Sequence, residues 1–256
     1  SSTATNVMVL SFVNTGMMAL TQSIPLMIGA NLGTTVTAWL ISLSSIDGAG
    51  LIFTLLKPAS FTPIICFIGI LLYKFISRPR SKDVGAILLG FAMLMFGMTM
   101  MSSSMSGLSS VPGFMELFDA LSNPFLGLIF GAAMAAIMQS SSASIGVLQA
   151  LAMAGGINFS SVIPIVMGIN IGQVVPVLIA SAGTSLDARR AAWIDLYLNV
   201  AGAVVALPVY MILRATGNFP FDPVMATPVT IAICHTGYKL LTSIAELPAY
   251  KFFDKL

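Results

Sequence analysis

Charge is what this chain has least of. Only 8% of its 256 residues are Asp, Glu, Lys or Arg, against roughly 25% in ordinary soluble domains. So few charged side chains cannot cover a water-facing surface, so the chain needs an apolar solvent, and the bilayer is one. Histidine occurs once and cysteine twice, as Cys66 and Cys234, with no CxxC pair. That argues against a zinc site or a disulfide framework, and both thiols read as reduced packing residues. A net charge of +2 is too small for a nucleic-acid partner. No ring of acids or bases marks a channel pore, and no cleavable signal peptide is visible.

What is present fits closely packed membrane helices: 57% hydrophobic residues, 22 glycines and 17 methionines. Apolar runs between polar breaks give segments at 3–20, 23–43, 50–76, 84–101, 121–138, 143–156, 161–182, 189–213 and 226–250. Several reach the ~20 residues that a spanning helix needs. The runs 121–138 and 143–156 are shorter and flank Gln139-Ser140-Ser141-Ser142. A short pair around a polar tip reads as a re-entrant hairpin.

The basic residues set the orientation. Lys74, Arg78, Arg80 and Lys82 form one cluster, Arg189 and Arg190 a second, Lys251 and Lys255 a third. All three fall on the cytoplasmic side if 84–101 runs outward, 161–182 inward, 189–213 outward and 226–250 inward. Arg214 is the exception, near an outer helix end.

The chain also repeats itself. Shifted by 139 positions (140 − 1), Ser1-Ser2 falls on Ser140-Ser141, Ala4 on Ala143 and Gly16 on Gly155. Ile24-Pro25 falls on Ile163-Pro164, and Gly29, Asn31 and Gly33 on Gly168, Asn170 and Gly172. Chance hydrophobic similarity would not select Asn, Pro and Gly. The expected fold class is therefore all-α polytopic membrane protein: repeat 1 over 1–101, an extracytoplasmic linker over 102–120, and repeat 2 over 121–256. The charge clusters orient the copies oppositely, the inverted-repeat plan of secondary transporters, with a site between the repeats near the midplane. On that plan the abrupt opening on Ser1 would lack the first arm of its hairpin.

Two motifs carry the chemistry. The first is Gln139-Ser140-Ser141-Ser142-Ala143-Ser144 with its partner Ser1-Ser2-Thr3-Ala4-Thr5. Its plain reading is a polar helix turn whose hydroxyls bond back to carbonyls. Two such runs at matching places favour a binding site. A hydroxyl donates to an oxyanion and offers a lone pair to a hard cation. A broken helix adds free N–H groups for the anion and free carbonyls for the cation. The second motif is Gly29-Ala30-Asn31-Leu32-Gly33-Thr34-Thr35 with Gly168-Ile169-Asn170-Ile171-Gly172-Gln173. Each copy fits a GxxxG packing face, but Asn31, Asn170, Thr34, Thr35 and Gln173 exceed what packing requires.

Three charged or polar residues fall inside late segments. Lys239 requires either a wet cavity or an acid, with Asp195 the candidate partner. His235 reads as a packing or hydrogen-bonding residue, and Glu246 as a solvated helix-end residue. Ser102–Gly113 imitates the serine motif but has no Gly-x-Asn sequel and reads as linker.

The repeated Ser-Ser motif followed each time by Gly-x-Asn-x-Gly resembles the type II sodium-phosphate cotransporters, particularly their bacterial members. Arg189-Arg190-Ala191-Ala192 before Asn199, and His235-Thr236 before Leu247-Pro248, match as well. The resemblance implies a sodium-coupled carrier of inorganic phosphate in the bacterial inner (cell) membrane, not an enzyme, with no cofactor beyond the coupling sodium. It implies a phosphate site of Ser1, Ser2, Thr3, Gln139, Ser140, Ser141 and Ser142. Thr5, Asn31, Thr34, Thr35, Ser144, Asn170 and Gln173 are the sodium-ligand candidates. Partners would be phosphate, sodium, lipid, a cytoplasmic PhoU-like domain and a second copy in a homodimer. The alternatives are a carrier of another oxyanion or a carboxylate, and a non-transporting sensor or scaffold. This chain departs from the pattern in having no glutamine before Ser1, Thr3 for serine, Gln173 for threonine, Asp195 where histidine is frequent, and Lys239 for asparagine.

Overall fold

A computed structural model describes residues 1–45, 58–105, 107, 113, 116, 120–154, 157–217 and 225–253. Among these the elements are helices, with no strand and one isolated bridge between Asn158 and Met225. Eleven α-helices follow in order. They are α1 Ser2–Asn14, α2 Leu20–Gly33, α3 Thr35–Ser42, α4 Pro58–Phe75, α5 Pro79–Met105, α6 Pro124–Met138, α7 Ser141–Met153, α8 Phe159–Gly172, α9 Val175–Ser181, α10 Leu186–Ala215 and α11 Pro228–Phe253.

Local chemistry fixes many ends. Proline opens α4, α5, α6 and α11, where its missing N–H costs nothing. Asn123 caps α6 by accepting from Phe125 N and Leu126 N, and Ser185 caps α10 by accepting from Ala188 N. Gly16 and Gly217, both at positive φ, close α1 and α10.

Four stretches are long and apolar enough to cross a bilayer: Leu20–Ser42, Pro79–Met101, Phe159–Ser181 and Leu186–Ala215. Ile137, Ile87, Val205 and Leu241 turn outward, each more than two-thirds exposed. Such an outer surface suits hydrocarbon, and the chain is a membrane protein. The Phe159–Ser181 window is 67% buried while Pro79–Met101 is 22% buried. Helix α8 is therefore the central element and α5 a peripheral one. Around α8 pack Ala135 of α6, Ile145 and Leu148 of α7, and Ile231 of α11.

Element bounds repeat at the same offset as the sequence. Ser2–Asn14 and Ser141–Met153 differ by 139 at both ends (141 − 2, 153 − 14), as do Leu20–Gly33 and Phe159–Gly172. The packing crosses between the two halves: α1 lies on α9 and α10, α7 lies on α3, and α11 lies on α2 and α3.

Several boundaries differ from the sequence expectation. The run 3–20 is not one helix: Thr15–Ala19 separates α1 from α2, turning on Gly16 at φ 74°. The runs 23–43 and 161–182 are each broken, at Thr34 and at Gln173-Val174. Ser103–Met105 belong to helix α5 and not to a linker, since Ser103 and Ser104 bond back to the Met100 carbonyl. Most of the expected linker 102–120, Gly155 and Lys255 lie outside the described residues. Glu246 is half-buried, beside an apolar cavity of about 590 Å³ that Met167, Val205, Tyr210 and Tyr238 also line.

Candidate substrate site

The second serine run sits at a helix break. Gln139 takes a left-handed φ of 54°, and it is the one non-glycine residue to do so among the described residues. Ser140 is extended, and its Oγ accepts from Ala143 N at 3.2 Å to start α7. Ser1 does the same for α1, accepting from Ala4 N at 3.4 Å. The first backbone bonds of these helices are Thr5 N to Ser1 O and Ser144 N to Ser140 O. The N–H groups of Ser2, Thr3, Ser141 and Ser142 therefore have no acceptor within their own helices. They point out of a positive dipole end, the arrangement that holds oxyanions.

Burial divides the run residues. Ser2, Ser141 and Ser144 are buried, Thr3, Ser140 and Ser142 are half-buried, and Ser1, Thr5 and Gln139 are exposed. Ser142 faces a cavity of about 360 Å³ together with Thr37, Met93, Met98 and Met138. No hydrogen bond joins the Ser1–Thr3 run to the Gln139–Ser142 run among the described residues. Thr5, Ser144, Thr34 and Thr35 donate to their own helices, at Ser1 O, Ser140 O, Ala30 O and Leu32 O. The back-bonding reading holds for these four, and it leaves their lone pairs directed away from the helix.

The polar centre of the molecule is a different set. Asp195 of α10 is 1% exposed and accepts from three amides. Asn6 Nδ2 lies 2.9 Å from Oδ2, Asn31 Nδ2 2.9 Å from Oδ1, and Asn199 Nδ2 3.2 Å from Oδ1. Asn199 Oδ1 in turn accepts from Lys239 Nζ at 3.2 Å and from Gln173 Nε2 at 3.3 Å. Ser2 Oγ approaches Gln173 Oε1 at 3.5 Å. Ser2, Asn31 and Gln173 are thus brought into one network, which also joins α1 and α2 to the C-terminal end of α8, to α10 and to α11. Asn170 stands apart: its Nδ2 bonds to Val166 O at 2.7 Å. His235, one turn before Lys239, is fully buried with neither ring nitrogen partnered.

Asp195 and Lys239 are linked through Asn199, with no ion pair between the two. A lone charge at the bilayer centre costs about 2.5–3.5 kcal/mol, and hydrogen bonds to a charged group return about 1.5–3 kcal/mol each. Asn6 and the hub role of Asp195 went unread in the sequence. The available signal was that a buried acid needs donors, and the amides within the apolar runs were the donors on offer.

The two Gly-x-Asn-x-Gly copies pack differently. A Cβ on Gly168 would fall on the Leu128 carbonyl oxygen, and one on Gly172 on the Ala132 carbonyl oxygen. These two glycines are a close-packing face for α6. A Cβ on Gly29 or Gly33 would meet nothing within 4 Å. In the first copy the glycines do no such packing.

The profile of the Na+/Pi-cotransporter family matches residues 1–103 and 110–221. The chain belongs to this family. Among curated proteins, one from Salmonella typhimurium LT2, named "Putative inorganic phosphate export protein YjbB", is 24% identical over 249 residues. The match takes in 97% of this chain and 43% of that protein. The YjbB of Escherichia coli K12 is 24% identical over 250 residues, with the same two shares. Bacillus subtilis 168 YqeW, named only as uncharacterized, is 27% identical over 259 residues, covering 100% of this chain and 78% of YqeW. The chain thus spans less than half the length of the YjbB proteins it matches. No solved structure matches it.

Proposed function

We propose that this Na+/Pi-cotransporter family member is a membrane carrier of inorganic phosphate, coupled to sodium and without enzymatic chemistry. The observation that carries the reading is the pair of serine-capped helix starts, Ser1–Thr3 and Gln139–Ser142, in a chain of that family. Hydroxyls and free N–H groups bind a tetrahedral oxyanion without a basic side chain in the membrane. Back-bonded hydroxyls of Thr5, Thr34, Thr35 and Ser144, with the unpartnered Asn170 Oδ1, are the hard oxygen atoms for sodium. Asn31 and Gln173 serve the Asp195 centre.

In this reading residues 1–101 and 121–256 are inverted repeats, and the helices around Ser140 form a re-entrant hairpin. The crossed packing and the 139-residue offset support it. Transport proceeds by alternating access. The bacterial cell membrane is the location, and a cytoplasmic PhoU-like domain and a second copy are the partners. The names of the YjbB relatives favour a second reading of direction, in which flux runs outward.

The test is labelled phosphate flux in proteoliposomes holding only this chain, with sodium or choline imposed on either face. Sodium-dependent flux, competed by arsenate more than by sulfate or dicarboxylates and lowered by Ser140→Ala and Ser141→Ala, is expected. Flux equal in choline removes the coupling, preferred competition by a dicarboxylate removes the substrate, and no flux leaves the scaffold reading.

A further inference from the structure

The apolar cavity of about 590 Å³ beside α11 runs along the seam between α10 and α11, from Leu198 and Glu246 at one end to Leu213 at the other. Fifteen residues of α10 (213 − 198) make that about 22 Å, against about 15 Å for the hydrocarbon of one leaflet. Val205, Val209 and Leu241 on its wall are each more than half exposed, so the slot opens onto hydrocarbon. Three polar residues, Tyr238, Thr242 and Glu246, stand in this wall at the spacing of one helix face. Thr242 donates to the Lys239 carbonyl, but the Tyr238 hydroxyl is buried and unpartnered. A Cβ on Gly202, which also lines the slot, would lie 3.1 Å from that hydroxyl. Glu246 makes no ion pair among the described residues. The phenol calls for an acceptor and the half-buried carboxylate for a cation. An apolar slot of this kind does not hold water, so the two needs fall to one elongated amphiphile.

We propose that the slot binds one bilayer phospholipid with a primary-ammonium headgroup: the ammonium on Glu246, a glycerol ester carbonyl accepting from the Tyr238 hydroxyl, and an acyl chain along the apolar wall toward Leu213. Tyr238 and Glu246 are two turns of α11 apart, about 12 Å, the reach from ammonium to ester carbonyl within one such lipid. Glu246 lies five residues, about 7.5 Å, before Lys251, one of the basic residues that mark the membrane face, so a headgroup reaches it. Charge selects the class: a carboxylate repels an anionic headgroup, and a quaternary ammonium brings charge without an N–H to donate. The proposal needs the membrane but neither phosphate nor sodium.

The experiment follows thermal unfolding of the purified, delipidated chain in detergent, titrated with dioleoyl phosphatidylethanolamine, phosphatidylcholine or phosphatidylglycerol. Wild type is half-maximally stabilised by the ethanolamine lipid at about one-tenth the concentration needed of the choline lipid, and the glycerol lipid acts more weakly still. Glu246→Gln keeps a lipid response but brings the ethanolamine and choline lipids to the same concentration. Tyr238→Phe, which removes only the hydroxyl, weakens all three alike by about threefold. Val205→Trp, at the lipid-facing mouth, blocks the slot and removes the response. Equal concentrations for the three lipids in wild type overturn the proposal, as does a preference that survives Glu246→Gln or a titration unchanged by Tyr238→Phe. So does a Val205→Trp chain that passes from dimer to monomer with its lipid response intact, since the slot then belongs to a second copy. No phosphate or flux enters the measurement, so failure here is distinct from failure of the transport reading.

Discussion

Replacing Gly168 with alanine is the sharpest test of the central packing. Helices α6 and α8 cross so closely that the added Cβ would land on the Leu128 carbonyl oxygen and lie 2.8 Å from Ala132 N. Both are backbone atoms, which cannot rotate aside as a side-chain tip can, so the helices must separate. Overpacking of this kind costs about 1–3 kcal/mol. Gly29 is the matched control, the same residue of the first copy, with nothing within 4 Å of its Cβ position. There alanine removes the intrinsic penalty of a mid-helix glycine, about 0.8–1 kcal/mol. The two substitutions therefore have opposite signs. Thermal unfolding in detergent, followed by loss of the monodisperse chromatographic peak, separates them: Gly168→Ala melts earlier than wild type, and Gly29→Ala no earlier. Because α6 leads directly into Gln139, Gly168→Ala also lowers phosphate flux. Equal midpoints for the pair, or the reverse order, would refute the argument.

Two further substitutions read out single features by the same melting assay. Asp195→Asn leaves Lys239 without its counter-charge and turns one of two accepting oxygens into a donor, stranding either the Asn6 amide or those of Asn31 and Asn199; a loss of about 3–5 kcal/mol is expected, and a midpoint within error of wild type contradicts the network. Gln149→Leu removes the amide that ties α7 to Ala38 O at 3.0 Å and Pro228 O at 2.9 Å, so about 0.5–1.5 kcal/mol is lost for each bond; an unchanged midpoint would mean that the amide adds nothing to the packing of α7 on α3 and α11.

How much of this was legible depended on whether the signal was local. The break at Ser140 was readable because a glutamine and three serines interrupt an apolar run, and a serine before a helix has a use for its hydroxyl. The duplication was readable because Asn31, Pro25 and Gly33 recur where lipid-facing residues would drift. The breaks at Thr34 and Gln173 were missed, since hydropathy continues through both; Pro176, two residues inside the next turn, was the overlooked signal in the second copy. The Asp195 centre was illegible for another reason. Its donors, Asn6 and Asn31, are 189 and 164 positions away, and only the crossed packing of α1 and α2 on α10 brings them there. The sequence also offered GxxxG packing for both glycine motifs alike, and the neighbours that separate 168 and 172 from 29 and 33 are tertiary.

That same centre restricts how a carrier built on this fold can move. Sliding α1 and α2 past α10 would break the Asn6 and Asn31 bonds to Asp195 together and strand a carboxylate where little water reaches, and each such bond is worth about 1.5–3 kcal/mol. An apolar seam beside it, made by Ile24, Ile28, Ile194 and Leu198, would be sheared as well. Breaking both bonds at once adds to the barrier of every cycle, so α1, α2 and α10 should travel as one body and the moving boundary should lie elsewhere. The opposing expectation, motion along the line between residues 1–101 and 121–256, places that boundary through the seam. A cross-link between Ile28→Cys and Ile194→Cys distinguishes the two: phosphate flux survives it if the three helices move together, and is abolished, then restored by reduction, if they do not.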